Sequence, residues 1–217
     1  VLEDALSAPV GARDRSRVEH CLRAHVAMDR VSEAEDAIAR VLVQPAVELV
    51  TRSASAETTF PNLLKSCVDA ALGSCELELE LTGGIETSAE MDPSKFCILG
   101  NCVLRCVDEA VHTARPGEYG PGEPDRFIRN HAAAVAAVRS IETRTVSEAN
   151  VLAFRASDAY ATYQKRWNLA AYFNIRMGEI AGEMTSYLDD HSLVRALEGQ
   201  GGFALAATGA AWKALER

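Results

Sequence analysis

An all-α fold, drawn out as an elongated helical bundle or rod, is predicted by three features of the sequence. Apolar residues recur at helical spacing in almost every segment. Alanine is plentiful while aromatic residues make up only 6% of the chain, which favours helix packed on helix. The one strand-like alternation, Cys75 to Leu81, has no second strand to pair with. Two of the expected helices approach roughly 20 residues, or about 30 Å each, and long helices with short connections build bundles.

Each element follows in order. Val1–Leu6 reads as the end of a helix, broken by Pro9-Val10-Gly11. From Asp14 onward, Val18, Cys21, Leu22, His25 and Met28 mark one face of a second helix. Ser32-Glu33-Ala34-Glu35 has the pattern of a capping box and opens a third. Its core face is expected to be Ala34, Ile38, Val41, Leu42 and Leu49, with Pro45 kinking or dividing it. After a polar connection over 53–59, Pro61 suits the first turn of a helix reaching about Leu72 and stopped by Gly73. Residues 75–81 are either a continuation of that helix or an extended arm.

Gly83-Gly84 through Pro93 reads as a loop, and Phe96 to about Val111 as a helix apolar nearly all round, hence buried. The Pro/Gly-rich segment 115–124 is the clearest linker and is expected at the surface. Phe127, Ile128, His131, Val135, Val138 and Ile141 give the next stripe. One helix over about Ser147–Arg166 and another from Leu169 to Leu188 follow, then Gly199–Gly202 and a last helix ending at Arg217. The chain is expected to be one helical region, 1–217, with 1–114 and 125–217 as sub-bundles if the linker separates them. Its start, Val1-Leu2-Glu3-Asp4, has no initiator Met and no signal-peptide pattern, so it reads as a fragment.

Charge and composition narrow the function. With 22 basic against 31 acidic residues the net charge is −9, which on average repels phosphate and argues against nucleic-acid binding. No run of about 18 apolar residues occurs, so direct membrane insertion is not expected. The six cysteines lack the spacing of a zinc site and read as buried, reduced thiols. No His-Glu-x-x-His, nucleotide-binding loop or Gly-x-Ser-x-Gly elbow is present, so no catalytic residue, metal or cofactor is assigned. Glu76, Glu78 and Glu80 read as a solvated face. Gly178 and Gly182, four apart, suggest a close crossing by a neighbouring helix of the same chain.

The densest pattern is 163–181. Leu169, Phe173, Met177, Ile180, Met184 and Leu188 form an apolar stripe, Tyr172 and Ile175 add apolar area on another side, and Asn168 is placed to cap the helix. Such a helix is expected to be buried between two neighbours, with Trp167 and Phe173 locking it in place. The alternative is an aromatic patch that binds a partner.

At this segment the chain resembles a known family. Lys165-Arg166-Trp167-Asn168-Leu169, then Tyr172-Phe173, Ile175-Arg176 and Glu179-Ile180-Ala181, are similar to the signature of the second subunit of the conserved oligomeric Golgi (COG) complex, in its middle region. The chain departs from that signature at Ala170 and Met177, where proline and phenylalanine are usual. His20 to Asp29 and Val41-Leu42-Val43-Gln44-Pro45 agree with the family in order, and 74–95 matches poorly.

The resemblance implies a helical rod of the multisubunit tethering type. It implies a non-enzymatic scaffold subunit in retrograde intra-Golgi transport, peripheral on the cytosolic face of the Golgi membrane. The implied partners are other COG subunits, with Golgi SNAREs and coiled-coil tethers further out. The competing reading is a helical adaptor subunit of another tether such as exocyst. The residues singled out as structural motif or interface are Arg166, Trp167, Asn168, Leu169, Tyr172, Phe173, Ile175, Arg176, Glu179 and Ile180.

Overall fold

The structure, a computed structural model, describes residues 1–9, 11–82, 96–145 and 148–189. The expected loop at 83–93 and the expected last helix before Arg217 lie outside the described residues. Among those described the all-α class is borne out: every regular element is helical. Packing groups the chain into two units, Val1–Tyr119 with Ile128–Trp167, and Gly120–Phe127 with Asn168–Arg217.

The first unit opens with α1 (Leu2–Leu6) and α2 (Arg15–Ala27). Asp14 caps α2 by accepting from the Ser16 and Arg17 amides, which satisfies two of its orphan donors. The helix ends through Asp29, a non-glycine residue at φ 56, while the Arg30 amide donates to the His25 carbonyl. His25 is half-buried, with Nδ1 2.8 Å from the Cys21 carbonyl, and Met28 is exposed beyond the packed face.

In α3 (Val31–Ile38) the expected capping box does not form, because the helix starts before Ser32 with Arg30 at its cap. Glu35 instead turns inward. One carboxylate oxygen accepts from the Cys97 amide at 2.5 Å and the other from Asn101 Nδ2 at 2.7 Å. A buried carboxylate thus caps a distant helix start, where the unsatisfied amides favour negative charge.

Pro45 does disturb its helix. A π-helical turn over Ala39–Val43 leads into α4 (Gln44–Ser53), with Pro45 in the first turn. The wider turn accommodates a residue that lacks an amide hydrogen and crowds the residue four before it. It also shifts the helical phase. Val43 at its end and Val47 beyond it are buried, and Leu49, expected in the core, is 69% exposed.

Pro61 opens α5 (Phe60–Ser74), which buries Phe60, Leu63, Leu64, Cys67, Val68, Ala71 and Leu72. The alternating segment that follows is α6 (Glu76–Thr82). At helical period its glutamates do not share one face, and Glu78 is fully buried where a solvated position was expected. Arg13 compensates it. Its Nη1 lies 3.2 Å from Glu78 Oε1, and its Nη2 donates to the Ser74 carbonyl at 2.8 Å. Burial still pushes the Glu78 carboxyl above its usual range, although Arg13 pulls it down.

The apolar segment starting near Phe96 is buried, as its composition requires. It runs as a π-helix, Ile98–Leu104, continued by α7 (Arg105–Ala114). Gly100 permits a close approach: a Cβ there would sit 2.7 Å from Ser157 Oγ and 2.9 Å from Cys97 Sγ. α8 (Pro124–Glu142) buries Phe127, Asn130, Ala134, Ala137, Val138 and Ile141, leaving Ile128 partly exposed. The helix expected over 147–166 is two, α9 (Glu148–Ala156) and α10 (Asp158–Lys165). Ser157 divides them, donating to the Phe154 carbonyl and accepting from the Tyr160 amide as the cap of α10. α11 (Leu169–Asp189) belongs to the second unit.

Candidate functional site

The 163–181 segment is built from the end of α10, a two-residue junction and α11. Arg166 closes α10. Its Nε donates to both oxygens of Asp108, at 2.6 and 2.7 Å, and Asp108 is buried on α7. Burial raises the Asp108 carboxyl above its usual range, and the Arg166 guanidinium offsets part of that rise.

Trp167 follows and is 5% exposed. Its ring lies among aromatic rings of the same unit: Tyr119 at 4.9 Å between centroids, His131 at 5.4 Å and Phe60 at 6.1 Å. Tyr119 in turn meets Phe60 edge-on at 5.5 Å and His112 at 5.2 Å. Offset and edge-to-face rings attract through their quadrupoles, so this cluster adds to the burial of each member. Tyr119 comes from the segment expected as a surface linker. A 3₁₀ turn, Pro116–Tyr119, drives its ring inward, and burial pushes the phenol well above its usual range. Asn130 Nδ2 holds the turn from α8 by donating to the Glu118 carbonyl at 3.1 Å.

Asn168 caps α11 as its sequence position implies, with Oδ1 accepting from the Ala171 amide at 2.9 Å. Tyr172 stacks on Phe127 at 5.2 Å and 23°. The Arg176 guanidinium lies 5.8 Å from the Tyr172 ring centroid and pairs with Asp125 and Glu179. One side of α11 is thereby covered within its own unit.

The apolar stripe of α11 is not covered as expected. Leu169, Phe173, Met177 and Met184 are 46%, 61%, 47% and 41% exposed, Ile175 and Ile180 are half-buried, and the Leu188 side chain lies outside the described ones. Gly178 and Gly182 carry no helix crossing among the described residues, since a Cβ at either would meet nothing within 4 Å. Helical spacing identified an amphipathic face correctly but could not say whether anything packs on it. The family motif is therefore divided by burial. Arg166 and Trp167 are fastened into the first unit, whereas Leu169, Phe173 and their neighbours belong to the second.

Three parts of this site were not anticipated: Asp108 as partner of Arg166, Tyr119, and His112 beside it, whereas His131 stood on the expected stripe of its helix. Of these three only Tyr119 carried a signal, as the one aromatic in a Pro/Gly-rich stretch.

The six cysteines are free thiols, five of them buried. Burial pushes Cys67 and Cys75 up to about 12 and Cys106 to about 11, which leaves little thiolate at neutral pH for nucleophilic chemistry. Among the described residues no three His, Cys, Asp or Glu side chains come together as a metal-holding group. No described helix is long and apolar enough to cross a membrane.

Comparison with known proteins agrees with the motif. A family described as "COG complex component, COG2, C-terminal" matches residues 165–217. That match begins three residues before the boundary between the packed units, at Trp167/Asn168. The conserved oligomeric Golgi complex subunit 2 of Homo sapiens is 30% identical over 221 residues, covering 100% of this chain and 30% of the human protein. The subunit 2 of Arabidopsis thaliana is 30% identical over 188 residues, covering 83% of this chain and 24% of its own length. No solved structure matches the chain. The chain spans less than a third of either full-length relative, and over that span it is a COG2-like sequence.

Proposed function

We propose that this chain is a helical segment of a non-enzymatic scaffold subunit in a Golgi vesicle-tethering complex acting in retrograde intra-Golgi transport. The observation that carries this reading is the similarity to the human subunit from one end of the chain to the other. Buried thiols, arginine-paired buried carboxylates and an exposed apolar helix face suit a protein that works by contact better than one that works by chemistry. The protein containing this segment would sit peripherally on the cytosolic face of the Golgi membrane, held by other COG subunits, with Golgi SNAREs and coiled-coil tethers as further partners.

Tagged chain expressed in cells is expected to co-purify with COG subunits and to concentrate at the Golgi. Recovery of exocyst subunits in their place would instead support an adaptor of another tether. Recovery of neither would overturn the assignment of this segment to the assembly.

A further inference from the structure

Arginine stands three residues before a serine or threonine at three places in the chain: Arg13 before Ser16, Arg52 before Ser55 and Arg144 before Ser147. Ser147 lies outside the described residues. Ser16 is exposed, but Arg13 is buried in its ion pair with Glu78. Ser55 differs, because both members of its pair face solvent: Ser55 is exposed and the Arg52 side chain is 75% exposed. Arg52 belongs to the last turn of α4, and at the C-cap, Ala54, the backbone turns extended, φ −67 and ψ 127, leading into Ser55. Small alanines flank the serine on both sides. Its hydroxyl shares a surface hydrogen bond with the Thr58 hydroxyl at 3.2 Å. The hydroxyl of nearby Ser53 instead turns back onto the Val50 carbonyl at 3.0 Å. Arg115, the C-cap of α7, reaches the same turn, and its Nη2 donates to the Ser55 carbonyl at 3.0 Å. Among the described residues Arg115 makes no ion pair.

We propose that Ser55 is phosphorylated by a serine/threonine kinase that selects basic substrates, and that the phosphoryl group docks on the Arg115 guanidinium, fastening the α4–α5 turn to the end of α7. Kinases of this class distinguish substrates by charge pattern, and an arginine three residues before the acceptor is their usual anchor. Arg52 can serve, because its surface pair with Glu48 contributes little and is readily exchanged. The last turn of a helix frays, which lets Arg52 and Ser53 join the extended stretch in a kinase cleft. In the transfer, Ser55 Oγ attacks the γ-phosphorus of a nucleoside triphosphate and its proton passes to the kinase's catalytic carboxylate. The bond to the β-phosphate breaks, releasing the nucleoside diphosphate. The product gains about −1.5 to −2 charges and three strong acceptor oxygens. Glu57 and the carbonyl end of α4 oppose that charge. Arg115 offsets them: already hydrogen-bonded to the Ser55 backbone, its planar fork can take two phosphate oxygens at once.

The proposal rests on the scaffold reading only for access to nucleoside triphosphate on the cytosolic side. Its test uses the purified chain, so it succeeds or fails apart from any co-purification. The chain is incubated with ATP and the catalytic subunit of cyclic-AMP-dependent protein kinase, and modified residues are mapped by mass spectrometry. Phosphate is expected on Ser55 of the folded chain. Arg52→Ala should lower the initial rate there by about tenfold or more, with the thermal melt unchanged. No incorporation at Ser55, incorporation only after heating past the melting temperature, or a rate that Arg52→Ala leaves unaltered overturns the site. Docking on Arg115 is read by phosphorus NMR against pH. The phosphoserine of the folded chain should titrate about half a unit or more below that of a phosphorylated peptide with the sequence of 50–60, and Arg115→Gln should remove the difference. Equal midpoints in chain and peptide, or a difference that survives Arg115→Gln, overturns the docking.

Discussion

Trp167 and Phe173 are six residues apart in one motif and have opposite fates. Trp167 is enclosed by Phe60, Tyr119 and His131, and Phe173 is 61% exposed. Truncating a buried tryptophan leaves a cavity and removes its contacts, which costs about 3–5 kcal/mol, whereas an exposed side chain leaves stability within about 0.5 kcal/mol. Trp167→Ala is therefore expected to lower the melting temperature by many degrees, and Phe173→Ala to leave it nearly unchanged. Comparable melts for the two variants would contradict this division. Arg13 and Glu78 make a second residue-scale case. Glu78→Leu alone strands the buried guanidinium and should cost about 3–5 kcal/mol, while Arg13→Met with Glu78→Leu should be neutral or stabilising by about 1–4 kcal/mol. Denaturant melts of the single and double variants measure the difference. A double variant as unstable as the single would show that the pair contributes net stability.

At the scale of elements, one helix start is capped by a side chain from a distant helix and one helix is divided by a local serine. Glu35 caps the π-helix that begins after Cys97, and Ser157 divides α9 from α10 while lying against Gly100. The Glu35 contacts and the approach of Ser157 to Gly100 were not legible in the sequence, since each joins positions far apart along the chain, whereas the Ser157 cap itself is local. Gly100→Ala places a methyl group against the Ser157 hydroxyl and the Cys97 thiol, and should cost about 1–3 kcal/mol by overpacking. Ser157→Ala removes the cap of α10 and should cost about 1 kcal/mol. Because Ser157 is what the Gly100 methyl would strike, the two changes together should cost less than their sum. Strict additivity in a double-mutant cycle would show that the two sites do not meet. Caps written in neighbouring residues were easier to read: Asn168 at α11 and Pro61 in the first turn of α5 stand where local rules put them.

The molecule as a whole carries a net charge of −9 and two carboxyls buried beside arginines. Burial raises Glu78 and Asp108 above their usual 4.5 and 3.8, outweighing Arg13 and Arg166. A carboxyl whose folded pKa exceeds its unfolded one is the better proton binder in the folded state. Its contribution to stability is fully present below the unfolded value and is lost as pH rises through the folded value. Glu48, held low by its hydrogen bond with Gln44, acts in the opposite direction, but it is open to solvent and screened. Protonation also relieves repulsion among the excess acidic groups. The melting temperature is accordingly expected to rise as pH falls from 7 toward about 5, and Glu78→Gln to flatten that rise. A melting temperature that falls steadily over this range would contradict the assignment.

Sequence alone determined the all-helical class, the helix ends marked by Pro61 and Asn168, the disturbance at Pro45, and the COG-like motif around Trp167. These follow from local rules: hydrogen bonds that neighbouring residues complete, a ring that fits or crowds a turn, and a recurring order of residues. Tertiary structure decided which apolar face is buried. The stripe of α11 and the stripes of the core helices have the same period, so periodicity could not tell Phe173 at the surface from Trp167 in the core. The π-helical turn before Pro45 moved Val47 inward and Leu49 outward, and only a packed neighbour could set that phase. Glu78, written in the sequence like its exposed neighbours Glu76 and Glu80, became a buried partner because Arg13, 65 residues earlier, stands where it can compensate its charge.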